Sequence, residues 1–361
     1  MLVVGAVECR GFRNLADARL ESAARVVVVC GPNGAGKTNL LESVYFGLTG
    51  RSFRAGNDRD MIRFDEQGAR VELELVGRTD RLLAALDRSG ERRHLLAGRS
   101  LGGGPSERPL VSVFHPDRLQ LVKGAPAHRR AHLDRLFGAI WPARADLRHR
   151  FGRTLAQRNA LVARVRAGHA DPGSLPSWDE RLASEAEPLI AARAEAVEVL
   201  ATPFVELAAG LGLAEAGIAY RPRATGDRIE LAAELARRRT EGLGRAYTSY
   251  GPQLDEIELR IAGRPLRRFG SQGQQRLALL ALLFAERSAL IGAGRAAPLM
   301  LLDDVMSELD PEHRKLLVGL LAEGGQALIT ATEAEHVPSK EALRVAVDAG
   351  SVSQTPALRA A

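Results

Sequence analysis

The chain has 361 residues, 45% of them hydrophobic, and 50 basic side chains against 44 acidic ones give a formal net charge of +6. That length and apolar content suffice for two domains with cores of their own, and so small a positive excess does not by itself mark a nucleic-acid binder. The longest apolar run, Leu277 to Ala285, is far short of a membrane span, and Leu2 to Val7 is too short for a secretion signal. The two cysteines, Cys9 and Cys30, lack metal-ligand spacing. The expectation is a soluble cytoplasmic protein whose thiols are core residues.

The run Val26 to Cys30 reads as a strand, and it feeds Gly31-Pro32-Asn33-Gly34-Ala35-Gly36-Lys37-Thr38, a match to G-x-x-x-x-G-K-[ST]. Its three glycines let the backbone curl so that successive N–H groups converge on one anion. A helical pattern through Leu40, Leu41, Val44 and Leu48 follows, which adds the positive end of a helix dipole at the same place. Lys37 is one of only four lysines in the chain, so composition does not explain its position. It is the candidate for the outer phosphates of a nucleoside triphosphate, and Thr38 the candidate for magnesium. Alternating Val71, Leu73 and Leu75 predict a half-exposed antiparallel strand. Arg81 to Leu96 predicts a hairpin, Gly102 to Pro105 a turn, and Leu110 to Phe114 a further strand.

From about residue 117 the pattern turns helical. Between Arg129 and Arg166 ten arginines, among them Arg129, Arg130, Arg148, Arg150 and Arg153, stand against only Asp134 and Asp146. Such a stripe is a candidate footprint for a phosphate backbone. Few aromatics accompany it, so contacts without base readout are expected. His128 and His132 lie four apart but lack a third ligand, and read as a polar helix face. Residues 167–176 read as a loop, and Ser177 to Glu180 as the capping box of a long helical segment interrupted at Pro188 and Pro203. The first domain is expected to resume near Tyr250, with Ile257, Leu259 and Ile261 on a strand.

Ser271-Gln272-Gly273-Gln274 opens a long apolar helix, with Ser271 and Gln274 spaced as a capping box. Leu299 to Leu302 reads as a central strand buried on both faces, which puts Asp303 and Asp304 at the sheet end where ligands of open α/β sheets bind. Asp303 is the candidate for magnesium, and Asp304 the candidate to orient or deprotonate an attacking water. Asp310-Pro311 starts another helix, 326–330 makes a last strand, and the tail after Ser351 is expected to be loosely ordered.

The Ser-x-Gly-Gln segment about thirty residues before the Asp-Asp strand resembles the signature motif of ABC-type ATPases, and Ser307 to Asp310 resembles their D-loop. Phe12-Arg-Asn14, Gly50-Arg-Ser-Phe-Arg54, Pro116 to Arg130, Gln157 to Ala160, Trp178 to Glu180 and Tyr250 to Glu256 are similar to the RecF family of bacterial proteins. The resemblance covers nearly the whole chain. It implies an α/β fold: an ABC-type P-loop ATPase head, a mixed sheet with flanking helices, at 1–115 and 249–361. A mainly helical second lobe at 116–248 interrupts it. It also implies ATP and magnesium as ligands and Lys37 and Asp304 as catalytic residues. Ser271 to Gln274 would act in trans on a second copy, in a homodimer formed on ATP binding. DNA, including gaps and single-strand/duplex junctions, would be a partner, as would RecO and RecR, with RecA loading and the SOS response as the setting and no membrane involved.

ABC transporters usually carry glutamate at the position of Asp304 and a histidine after the next strand, where this chain has Ala331-Thr-Glu333. Both differences suit slow, DNA-stimulated hydrolysis used as a timer. Gln253 and Leu254 stand where the family often has His-Arg, which leaves any role of those basic residues open. A repair scaffold with negligible turnover and a transporter ATPase subunit are the alternative readings.

Overall fold

A computed structural model describes residues 3–77, 80–101, 110–115, 119–339 and 341–354, apart from the Glu308 side chain. They form two compact units, 1–119 with 290–361, and 120–289.

The first unit holds two six-stranded sheets. One is antiparallel and built from β1 (Val4–Arg10), β2 (Ala18–Glu21), β4 (Gly68–Leu75), β5 (Arg81–Asp87), β6 (Arg92–Leu96) and β7 (Arg99–Ser100), in the order β2-β1-β4-β5-β6-β7. The expected alternation is seen in β4, where Val71, Leu73 and Leu75 are buried. The other sheet contains β3 (Val26–Cys30), β8 (Val111–Phe114), β12 (Leu299–Leu302), β13 (Ala327–Ala331), β14 (Leu343–Asp348) and β15 (Ser351–Gln354). Its order is β15-β14-β3-β13-β12-β8, and all but β15 run parallel. Every residue of β12 and β13 is buried, as central parallel strands covered on both faces must be.

Helix α1 (Lys37–Thr49) packs against β4 and β5 of one sheet and β13 of the other. Its approach to β4 requires Gly47, where a Cβ would meet Leu73 Cδ1 at 2.7 Å. Gln326, fully buried at the start of β13, ties the two layers together. Its amide nitrogen donates to the carbonyls of Val4, Ser22 and Ala24, and its oxygen accepts the Val4 N–H at 2.8 Å.

The second unit is mainly helical, with α2 (Gln120–Lys123), α3 (Pro126–Ile140), α4 (Leu147–Arg166), α5 (Leu175–Gly210), α6 (Arg228–Arg237), α7 (Arg239–Arg245), α8 (Leu266–Phe269) and α9 (Gln272–Gly292). A small antiparallel sheet joins them, β11-β10-β9, from β9 (Ala216–Arg221), β10 (Glu256–Ile261) and β11 (Arg264–Pro265).

Four expectations are corrected. Because β10 pairs with β9 over its whole length, residues 249–289 group with the second unit rather than with the head. Ser177 lies inside α5, which begins at Leu175, and Pro188 and Pro203 do not interrupt it. A continuous buried stripe through Leu182, Leu189, Leu200 and Phe204 outweighs the donors that the prolines remove. The strand at 326–330 is not the last. Beyond it β14 and β15 form a hairpin whose two turn residues, Ala349 and Gly350, both have positive φ, the right-handed twist that two-residue hairpins favour. The turn expected at 102–105, and residues 116–118 and 355–361, lie outside the described residues.

No helix among the described residues is long and apolar enough to cross a membrane. The last helix, α10 (Pro311–Ala322), is capped by Asp310, which accepts the Glu312 and His313 N–H groups at 3.0 Å. The Gln326 contacts generate a prediction. Gln326→Leu strands several buried backbone groups and should cost about 3 kcal/mol of stability. Denaturant melting checks the magnitude, and faster amide exchange at Val4 checks the location.

Candidate functional site

Four neighbouring parallel strands, β3, β13, β12 and β8, end on one side of the sheet, and each delivers a polar group there. Gly31 follows β3, Thr330 is the penultimate residue of β13, Asp303 follows β12 and His115 follows β8. The phosphate loop curls above them. Gly31 has φ 153° and a Cβ on it would sit 2.0 Å from the Val347 carbonyl oxygen, while Gly36 has φ 118° at the N-terminus of α1. Only glycine fits at either point. The β14–β15 turn braces the loop from beneath, since the Gly350 N–H donates to the Ala35 carbonyl at 2.8 Å.

Lys37 folds back along the loop, with Nζ donating to the carbonyls of Gly31 at 2.7 Å and Pro32 at 3.0 Å. The Thr38 hydroxyl donates to the Asp303 carboxylate, 2.9 Å from Oδ1 and 3.0 Å from Oδ2. The two magnesium candidates, 265 positions apart in sequence, are thus in direct contact. Thr330, on the strand between theirs, donates to Asp303 Oδ1 at 2.8 Å, and its own oxygen accepts the Asp304 N–H at 2.8 Å. Asp303 is buried, whereas Asp304 is exposed with φ 50°, a left-handed conformation uncommon for a residue with a side chain. Asn33, Lys37, Thr38, Arg54 and Asp304 line an open cavity of about 360 Å³ here. Hydroxyl and carboxylate oxygens make the hard donor set that suits magnesium, and the loop supplies the N–H groups that suit phosphate.

A second layer was not read from the sequence. Glu42, on the buried face of α1, is fully enclosed and accepts from Arg13 Nε and Nη2 at 2.9 Å, from the Ser52 hydroxyl, and from Arg54 Nε at 3.0 Å. Arg54 also bonds Asn39, and Asn39 bonds Asn14, which donates to the Gly34 carbonyl at 3.2 Å. This chain of contacts holds a guanidinium at the cavity wall. A charged residue between Leu41 and Val44 was a signal available in the sequence. For Thr330 and His115 it was their position, immediately after or at the end of an apolar strand, like Asp303.

The signature and D-loop segments are seen as local structure. Ser271 and Gln274 form the expected reciprocal cap of α9, with the Ser271 N–H donating to Gln274 Oε1 at 2.9 Å and the Gln274 N–H to Ser271 Oγ at 3.2 Å. Ser271, Gln272 and Gly273 are exposed. Ser307 Oγ donates to the Asp304 carbonyl at 2.9 Å, which ties the D-loop to the strand end.

The arginine stripe is partly turned inward, while Arg135, Arg148, Arg153, Arg164 and Arg166 stay exposed. Arg129 is buried in a two-pronged pair with Glu256, at 2.8 and 2.9 Å, so it is not available to DNA. Arg130 donates to the Asp255 carbonyl, Arg148 lies 3.6 Å from Asp134, and Arg150 pairs with Glu185 at 2.8 Å. Arg158 is buried against Asp179. Of these partners only Asp134 lies within the stripe; Asp179 and Glu185 come from α5, and Asp255 and Glu256 from just before and at the start of β10, which a count of nearby acids does not reach. Arg153, Arg164 and Arg166 are exposed on α4.

Burial pushes the Glu42 carboxyl up, but the hydrogen bonds from Arg13, Ser52 and Arg54 outweigh it and hold it below the ordinary value of 4.5. A depressed folded value means stability that is present above the unfolded value and lost as pH falls through the folded one. Glu42→Gln should therefore cost about 3 kcal/mol at pH 7, by leaving two guanidinium groups uncompensated. The deficit relative to the parent should shrink below pH 4, and paired denaturation curves at the two pH values check both statements.

A family model described as an AAA domain matches residues 6–94, the span that contains the phosphate loop and α1. A curated protein of Heliobacterium modesticaldum, DNA replication and repair protein RecF, is 35% identical and aligns over 98% of this chain and 99% of its own length. The solved structure of the recombination mediator protein RecF with ATP matches with a TM-score of 0.83 at 26% identity, covering 98% of each chain. A Smc head domain from Pyrococcus furiosus matches with a TM-score of 0.59 at 17% identity, a likeness of fold alone. Identity of this order over nearly the full length, with the strand-end site in place, shows that the chain belongs to the RecF family and has its ABC- and SMC-head-like ATPase fold.

Proposed function

We propose that the protein is an ATP-dependent DNA-binding ATPase of replication and recombinational repair. The observation that carries the reading is the contact of Thr38 with Asp303, which brings the phosphate loop and the strand-end carboxylate to one point beside a cavity of triphosphate size. The RecF relatives, one of them solved with ATP, support the same ligand.

The loop N–H groups between Gly31 and Thr38 cradle the phosphates, and Lys37 exchanges its two loop carbonyls for the outer phosphate oxygens. Thr38 and Asp303 would hold magnesium, which when bound would neutralise charge developing on the transferred phosphoryl group. Thr330, donating to Asp303 Oδ1, would keep the carboxylate oriented if the Thr38 hydroxyl were given over to the ion. Asp304, exposed and held by its N–H, orients the attacking water. A carboxylate one methylene shorter than glutamate reaches less far, which fits slow turnover.

Ser271 to Gln274, exposed and capped, serves as an anion site for the nucleotide of a second copy, so ATP closes a homodimer and hydrolysis releases it. DNA is held through its phosphates, in gapped and junction forms, with Arg153, Arg164 and Arg166 as contacts in place of Arg129. Loading of RecA at gaps with RecO and RecR, and through it SOS induction, is the setting proposed from the family.

Sedimentation with ATP and magnesium, with and without duplex DNA, tests the clamp. The expected result is an ATP-dependent dimer that DNA strengthens and that rising salt separates from DNA. Ser271→Arg should bind ATP as a monomer and fail to dimerise; a variant that still dimerises sinks the trans arrangement. Asp304→Asn should slow hydrolysis by about tenfold or more, since water positioning is a main catalytic device in phosphoryl transfer. An unchanged single-turnover rate removes Asp304 from the mechanism.

A further inference from the structure

The oxygen donors Thr38 and Asp303 account for a magnesium site, but a nitrogen stands beside them. His115 Nε2 lies 3.5 Å from Asp303 Oδ2, and the ring is nearly buried, with a side-chain exposure of 10%. It sits at the C-terminal end of β8, the strand next to β12, whose backbone is joined there by the Asp303 N–H donating to the Phe114 carbonyl at 2.9 Å. On its far side the Phe53 ring stands 5.3 Å away, tilted by 53°, and limits where the imidazole can turn. Asp303 Oδ1 accepts from Thr330 and Thr38, whereas Oδ2, the oxygen that His115 approaches, accepts from Thr38 at 3.0 Å and not from Thr330.

Two donors 3.5 Å apart can share one ion, because metal bonds to imidazole nitrogen and to carboxylate oxygen are each about 2.1 Å long. Magnesium prefers an all-oxygen shell, whereas first-row transition ions gain from an imidazole and strengthen from manganese to cobalt. We propose that His115 is a metal-ligating residue of the nucleotide site, adding a nitrogen to Thr38 and Asp303 and giving the site a preference for divalent transition ions over magnesium. The inference rests on the nucleotide reading above and goes beyond it in naming the ion class and the residue that selects it.

The test uses the full chain labelled with 15N-histidine, a non-hydrolysable ATP analogue and Mn2+ at pH 8. Pulsed electron paramagnetic resonance should detect a directly bonded histidine nitrogen on the bound manganese. The label distinguishes it from adenine and backbone nitrogens, and His115→Gln should abolish the coupling while still binding the nucleotide. Competition between Mn2+ and Mg2+ should show the parent preferring manganese, with the preference falling about tenfold in His115→Gln. Manganese bound with the analogue but without histidine coupling overturns the inference and leaves the nucleotide reading standing. Failure of the parent to bind the analogue with either ion overturns both. The spectrum of the parent decides the matter even if the variant folds poorly.

Discussion

The site is organised around one buried carboxylate. Asp303 leaves β12 with both oxygens engaged, by the Thr38 hydroxyl from the start of α1 and the Thr330 hydroxyl from β13. A buried carboxylate without such donors is costly, so the fold that buries it must also bring those hydroxyls. The order β3-β13-β12 meets this need, because the intervening strand carries Thr330, which reaches Asp303 while its oxygen takes the Asp304 N–H. Pre-assembly of this kind means little reorganisation when a metal and phosphates arrive.

The same economy of charge runs through the rest of the molecule. Glu42 in α1 binds Arg13 and Arg54, and so holds the Arg54 guanidinium at the cavity wall. In the second unit Arg193 bridges Asp134 and Asp255, and Arg158 and Arg239 share Asp179. Breaking such buried pairs is expensive, and they hold elements distant in sequence in one arrangement. An arginine-rich stretch is therefore a poor guide to a basic surface until its partners are known. On α4 itself Arg158 is turned inward, while Arg148, Arg153, Arg164 and Arg166 remain exposed.

Local physics made much of the head legible. Four consecutive apolar residues before a glycine-rich loop, alternation in β4, and an apolar run ending in two acids each specify an element without reference to any other. The caps at Ser271 and Asp310 were equally local, since both depend on residues three positions apart. What escaped were features that depend on distant partners. The chain after Ser351 read as a loose tail, whereas Ser351–Gln354 forms β15 by pairing with β14, which itself lies beside β3. The prolines in α5 read as breaks because their cost is local, while the packing that offsets it is not.

The sequence by itself singled out the candidate residues for the chemistry: Lys37 and Thr38 in the loop, and Asp303 and Asp304 after an apolar strand. Those identities follow from spacing and from the rule that ligands gather at the carboxyl ends of parallel strands. Only the tertiary structure decided which groups join them. Thr330 and His115 obey the same strand-end rule, yet their meeting with Asp303 depends on the strand order β13-β12-β8, a product of long-range pairing. It also decided that Arg129 and Glu42 serve the interior, because burial and charge pairing are properties of the packed chain, not of any short stretch of it.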